Sequence, residues 1–190
     1  HNVVLYDKDV SKALHLRKAG LGLLGNMVGD KKAVACIEDT AVALEDLPSY
    51  IKEFTAIMKS YNQEVVYYAH AGAGELHLRP ILNLKTKQGV SYFRNITTDV
   101  AHLVKKYKGS FSGEHGDGIV RSEFIPIVIG EKNYALLSVV KKAFDPNYIF
   151  NPGKITAPFK MDVSLRNDYK QDPPTINTAF NCDDSQGILR

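Results

Sequence analysis

Apolar residues recur every three or four positions in several stretches of the chain, which predicts amphipathic helices. The clearest of these helices are at 47–61 and about 90–107, and a last helix is predicted over 131–144, where Asp145 and Pro146 end it. A shorter helix is predicted over 9–20, with Gly20 ending it, and the glycine-rich stretch 20–29 is predicted to be a mobile loop. Short apolar runs bounded by turn residues predict strands at 32–43, 65–69, 78–84 and 110–112.

Strands that alternate with helices of about 15 residues predict an α+β fold, with helices covering one face of the sheet. This domain is predicted to occupy residues 1–157. From Pro158 onward the chain is polar, aperiodic and holds three of the eight prolines. Residues 158–190 are therefore predicted to be an extended linker toward a following module, and the chain is interpreted as a piece of a longer protein.

The composition is that of an ordinary folded domain, with 44% hydrophobic and 24% charged residues, which excludes a wholly disordered or fibrous chain. No apolar run approaches the roughly 18 residues of a membrane-spanning helix. The net charge of +3 is too small and too evenly spread to indicate a nucleic-acid partner. The two cysteines favour a cytoplasmic location, and a peripheral association with the inner membrane is left open.

The first chemically distinctive segment holds His70 and His77 on either side of Gly72 and Gly74. On one continuous strand a separation of seven residues would put the two imidazoles on opposite faces. Because the glycines let the chain turn, both histidines are expected to reach one point. The alternative is that one histidine caps a turn and the other is an ordinary surface residue.

The second segment is the glycine-rich stretch 112–118, which contains Glu114 and His115. Its glycines allow the backbone to approach a flat ligand closely. If this backbone is extended, the two neighbouring side chains point in opposite directions, so that one could bind a metal while the other faces a substrate. The alternative is a polar turn in which Asp117 caps the next helix.

Together the two segments offer two imidazoles and a carboxylate, from His70, His77 and Glu114. Such a set with an open coordination position suits a catalytic Zn²⁺ and is acceptable to Mn²⁺ or Fe²⁺. A third feature, 151–154 (Asn-Pro-Gly-Lys), is most simply interpreted as a tight turn after the last helix.

Six motifs in order carry a family resemblance, and together they cover roughly residues 9–157. The chain resembles the C-terminal cap domain of FAD-linked oxidases, the group that includes glycolate oxidase subunits, D-lactate dehydrogenases and D-2-hydroxyglutarate dehydrogenases. The residues after 158 resemble the bridge to an iron–sulfur module in long members of that group. The motifs are the stretches 16–20, 37–42, 70–80, 112–118, 144–146 and 151–154.

The resemblance implies a ferredoxin-like antiparallel sheet that closes over an FAD held mainly by a separate N-terminal domain of the same polypeptide. It implies oxidation of a small D-2-hydroxy acid to the 2-oxo acid, with electrons passing to an acceptor that the sequence does not identify. A divalent metal, zinc or manganese, would orient the substrate, and iron–sulfur clusters would belong to a following module.

By the same resemblance, each motif residue has an implied role. His70, His77 and Glu114 would bind the metal, and His115 would be the catalytic base. Arg17 and Arg79 would bind the substrate, and Gly113, Glu114 and Asn151 would face the flavin. Arg79 stands where other members carry Asn, and a lysine that some members place near 37–39 is missing, so the particular substrate stays open.

Two rival functions also fit the residues. A metal-dependent hydrolase would use the same three ligands with a metal-bound hydroxide and no flavin. A non-catalytic α+β binding module would keep the fold and leave the histidines without a ligand.

Overall fold

An antiparallel sheet of four strands is organised around its longest strand. In the computed structural model, which describes residues 4–167, strand β4 (Glu75–Leu82) pairs along one edge with β3 (Val65–His70). The other edge pairs with β2 (Ile37–Ala41) and then with β1 (Lys32–Ala33). The single strand predicted over 32–43 is thus divided in two. The gap lies opposite Pro80, which has no backbone N–H to donate to a neighbouring strand.

Between residues 4 and 167 six α-helices accompany the sheet, and three of them confirm the helices predicted at 47–61, about 90–107 and 131–144. None of the helices between residues 4 and 167 has the length and apolar character that crossing a membrane requires. The helices are α1 (Lys8–Gly25), α2 (Leu47–Ser60), α3 (Lys87–Lys106), α4 (Gly118–Ser122), α5 (Ile125–Ile129) and α6 (Glu131–Phe144).

The core lies between one face of the sheet and the helices α2 and α3, as an α+β fold requires. Alternate residues of β4 face it, so Leu76, Leu78 and Leu82 are buried there. The residues between them point to the opposite face, which therefore carries polar side chains. The helices contribute Tyr50, Phe54, Met58, Phe93, Ile96, Val100 and Val104 to the core.

The strand predicted over 110–112 is reduced to one antiparallel bridge between Ser110 and Ala41. The chain leaves the sheet there because the N–H of Gly113 bonds to the carbonyl of Asp39 inside a bulge of β2. The bridge nevertheless sits beside β2. The spatial order is therefore Ser110, β2, β4 and β3, which is the order of a βαββαβ ferredoxin-like unit.

The prediction that 20–29 is a mobile loop is wrong for its first part, because α1 continues through Gly20 and Gly22 to Gly25. Each glycine in a helix costs only about 1 kcal/mol relative to alanine, so tertiary contact can override it. Helix α1 contacts strand β1, and Leu24 near its end lines an apolar groove together with Met58 and Val65.

The first residues of the predicted linker pack on the domain instead of leaving it. Met161 is buried in the core and its N–H donates to Glu123, while Asp162 pairs with Arg94 at 2.8 Å. Any linker therefore begins after this docked segment. The residues beyond 167 lie outside the described part of the chain, so the boundary with a following module stays a prediction.

Candidate metal and substrate site

The β3–β4 hairpin brings His70 and His77 to the polar face of the sheet. In its register His77 lies opposite Tyr68, and His70 lies opposite Glu75. The two imidazole ring centres are 5.2 Å apart, as expected from the glycine turn. Gly74 makes the turn with φ of 71°, and a Cβ at this position would collide with the carbonyl oxygen of Val42.

The loop that carries Glu114 and His115 is attached to β2 through the buried carboxylate of Asp39. The backbone N–H of Glu114 donates to Oδ1 at 2.9 Å, and that of His115 donates to Oδ2 at 2.8 Å. The Ser112 hydroxyl donates to Oδ2 at 2.8 Å. Asp39 has a φ of 82° because it forms the bulge of β2. One carboxylate thus fixes the position of the whole loop.

The structure brings together the three side chains that the sequence offered as metal ligands. Oε1 of Glu114 lies 3.8 Å from Nε2 of His70 and 3.9 Å from Nε2 of His77. One ligand atom from each residue lies within 4.8 Å of the others. His77 is buried, whereas His70 and Glu114 are exposed. The cluster is therefore anchored on the sheet and open on its outer side.

The expectation that Glu114 and His115 point in opposite directions is wrong. Nε2 of His115 lies 3.0 Å from Oε1 of Glu114, and the His115 ring stacks on His77 with centres 5.3 Å apart. The expectation assumed an extended strand, but the loop curls around Asp39 so that both side chains reach the same face. The candidate base is therefore beside the candidate ligands.

Glu38 and Glu75 also face the cluster, and the sequence analysis gave neither a role. Oε1 of Glu38 is 3.8 Å from Nδ1 of His77 and 3.6 Å from Nδ1 of His115. Oε1 of Glu75 is 3.8 Å from Nε2 of His77. Among residues 4–167, three other groups of possible ligands also have atoms within 4.8 Å of one another, and one of them is Glu38, His77 and His115. Acidic residues inside otherwise apolar strands were the available signal for both.

The carboxyl groups of Asp39 and Glu75 have pKa values shifted in opposite directions. Burial raises the pKa of Glu75 to about 7, and its hydrogen bond with Asp39 acts in the same direction. Burial also opposes ionisation of Asp39, but the hydrogen bonds from His115, Ser112 and Glu114 outweigh it and lower the pKa of Asp39 to about 2. Burial lowers the pKa of His77, which favours its neutral, ligating form.

Both predicted substrate arginines lie near the cluster. Arg17 stacks over the ring of Tyr68 at 4.3 Å, and its Nη2 donates to the carbonyl of Ala69 at 3.2 Å. Arg79 follows His77 on the same face of β4, and its Nε lies 2.5 Å from Oε2 of Glu38. Tyr68 was missed because an aromatic residue in a strand is ordinarily a packing residue.

The predicted flavin-facing residues divide into two places. Gly113 lies in the loop, where an added Cβ would touch both Asp39 and Glu75 at 3.4 Å, so its backbone lies close to the buried carboxylates. Asn151 lies in the turn after α6 and bonds there to Lys154 at 3.3 Å. Within residues 4–167, no hydrogen bond or ion pair joins Asn151 to the histidine cluster.

A comparison with protein families matches residues 2–155 to the domain described as "FAD linked oxidases, C-terminal domain". Residues of the chain are 40% identical over 156 positions to a D-2-hydroxyglutarate dehydrogenase of Escherichia coli (strain K12). This match covers 82% of the chain and 15% of the relative. The chain therefore spans only about a seventh of the length of that protein.

Two further relatives carry other names. A glycolate oxidase subunit of Bacillus subtilis (strain 168) is 24% identical over 141 residues, covering 74% of the chain and 29% of the relative. A D-lactate dehydrogenase of Archaeoglobus fulgidus is 29% identical over 127 residues, covering 67% of the chain and 28% of the relative.

Proposed function

The chain belongs to the family of FAD linked oxidases, C-terminal domain, and on that premise we propose that it is the substrate-binding part of a flavin-dependent oxidoreductase. The reaction is the oxidation of a D-2-hydroxy acid to the 2-oxo acid. Relatives named D-2-hydroxyglutarate dehydrogenase, glycolate oxidase subunit and D-lactate dehydrogenase support this substrate class. The observation that carries the proposal is the convergence of His70, His77 and Glu114 on one face of the sheet.

The residues of the cluster fit a divalent cation. Two imidazoles and a carboxylate form the donor set of many catalytic zinc sites, and manganese accepts the same ligands. The buried Oε1 of Glu75 makes no hydrogen bond with any residue between 4 and 167, so an acceptor faces the site without a donor. His70, His77 and Glu114 would hold the ion, which would lower the pKa of a bound substrate hydroxyl.

His115 is placed to take the hydroxyl proton. Its Nε2 lies beside the carboxylate of Glu114, and the ring is about half exposed, so that a substrate can reach it. Imidazole is the side chain used most often as the proton acceptor in general base catalysis. Arg17 and the free end of the Arg79 guanidinium bind the substrate carboxylate and fix the orientation of its C2 carbon.

The proposed reaction also needs an FAD, which would be held mainly by an N-terminal domain of the same polypeptide and would take up the hydride from C2. Gly113, Glu114 and Asn151 would face this flavin. The electrons would pass on to an acceptor, and iron–sulfur clusters would belong to a following module.

The experiment uses the whole flavoprotein that contains this chain and separates the roles of the two neighbouring loop residues. Glu114→Gln weakens metal binding, so excess Zn²⁺ or Mn²⁺ restores part of its dye-coupled oxidation of D-2-hydroxy acids. His115→Ala keeps its metal and loses about 10² to 10⁴ in turnover, and added metal does not restore it. Glu45→Gln on the exposed surface is the matched control. Equal metal loss in both site variants would make His115 a ligand, and full activity in both would refute the proposed site.

A further inference from the structure

We propose that Glu38 is a positioning residue of the metal site, which accepts a hydrogen bond from Nδ1–H of His77 and anchors Arg79 with its other oxygen. This inference rests on the proposed function, because it assigns a role to a fourth residue of the same site. With the proton held on Nδ1, the lone pair of His77 Nε2 faces His70 and Glu114 and is free to bind the ion.

The pairing of strands places the two residues together. Glu38 on β2 lies directly opposite His77 on β4, and side chains at such cross-strand positions are neighbours on one face. Oε1 of Glu38 is 3.8 Å from Nδ1 of His77. A side-chain adjustment of about 1 Å closes this gap to a normal hydrogen bond.

Burial decides which histidine uses this oxygen. The His77 side chain is only 6% exposed, and its Nδ1 makes no hydrogen bond with any residue in the described range. The His115 side chain, whose Nδ1 is 3.6 Å from the same oxygen, is 45% exposed, so water can satisfy it. A buried N–H without an acceptor is costly, and Glu38 is the carboxylate nearest to this nitrogen.

The second oxygen of Glu38 forms an ion pair with Arg79, whose Nε lies 2.5 Å away, although within residues 4–167 no N–H is aligned to donate a hydrogen bond to this oxygen. The backbone carbonyl of Glu38 also accepts a hydrogen bond from the buried Arg121. Both the side chain and the backbone of Glu38 are therefore held in place. If Glu38 were itself a ligand in the alternative group with His77 and His115, its carboxylate would have to be shared with Arg79. The geometry favours an orienting role over direct ligation.

Glu38→Gln separates these roles, because a glutamine has one acceptor oxygen and cannot serve both Arg79 and His77. We would titrate the 190-residue chain with Co²⁺ as an optical probe for the divalent ion. Glu38→Gln is expected to weaken Co²⁺ binding 10- to 100-fold while the spectrum at saturation stays that of the unsubstituted chain. The matched control is Glu53→Gln, whose carboxylate bonds to Lys106 and Tyr107 away from the site.

Unchanged Co²⁺ affinity would overturn the inference, and an altered saturated spectrum would overturn it by making Glu38 a ligand. A second measurement does not depend on metal: long-range ¹H–¹⁵N spectra of the metal-free chain report the tautomer of His77. We expect the Nδ1–H form, shifted toward Nε2–H in Glu38→Gln, and an Nε2–H form in the unsubstituted chain would refute the inference. If the chain and its His70→Ala variant both failed to bind Co²⁺, the proposed metal function would fail, while the tautomer would still decide the role of Glu38.

Discussion

Replacing Asp39 by asparagine is expected to destabilise the chain strongly and in a pH-dependent way. The Asp39 side chain is fully buried and accepts hydrogen bonds from Ser112, Glu114 and His115. These bonds lower its pKa to about 2. An unfolded aspartate titrates at about 3.9, so the difference corresponds to roughly 2 to 3 kcal/mol of stability at pH 7. The asparagine side chain would also present an NH₂ group toward N–H donors, which adds to the loss.

The sign of the pH dependence follows from the lowered pKa. The stabilisation by Asp39 is complete above the pKa of the unfolded group and is lost as the pH falls through about 4 toward 2. In urea unfolding at pH 7, Asp39→Asn should lower the free energy of unfolding by about 2 to 3 kcal/mol. The difference in this free energy between the variant and the unsubstituted chain should narrow below about pH 4. Asp9→Asn, at an exposed ion pair, should change stability by less than about 1 kcal/mol. A gap that stays constant with pH, or a loss like that of the control, would refute the assigned role of Asp39.

Three further outcomes are expected. In thermal unfolding, Gly74→Ala should destabilise the chain by more than about 1 kcal/mol, because Gly74 has a positive φ and the added Cβ would collide with Val42. Gly72→Ala in the same turn should leave the stability nearly unchanged, because the space around Gly72 is open. Met161→Ala should cost about 2 to 5 kcal/mol in urea unfolding, and a cost like that of the exposed Lys160→Ala would mean that this segment is not docked. In the whole flavoprotein, Arg17→Ala should raise KM for the hydroxy acid more than it lowers kcat, and a pure kcat effect would exclude substrate binding by Arg17.

The elements that the sequence predicts well are those whose apolar period is long. In the helices at 47–61 and 90–107 apolar residues repeat over at least three turns, so the period alone identifies these two helices. Predictions from local sequence alone were wrong where contacts between distant parts of the chain determine the structure. Gly20 does not end α1. The helix continues through Leu24, whose side chain lies at an apolar surface. The polar composition of the predicted linker likewise gave no indication that Met161 is buried.

Only the part of the candidate site that depends on local sequence could be predicted. The glycine turn indicates that His70 and His77 can meet, although the sequence also allowed one histidine to cap a turn while the other lay on the surface. The relation of Glu114 to His115 was not predictable, because it depends on a carboxylate 75 residues earlier in the chain, at Asp39. Glu38 and Glu75 enter the site through strand register, which a single sequence does not display.

The most direct test of the central claim is a crystal structure of the metal-loaded flavoprotein that contains this chain, with data collected at the absorption edge of the ion. We expect one anomalous peak with His70, His77 and Glu114 as its protein ligands, at about 2.0 to 2.2 Å. Glu38 should lie outside this first set of ligands and contact His77. A peak ligated by Glu38, His77 and His115, or an ion that avoids the cluster altogether, would contradict the account.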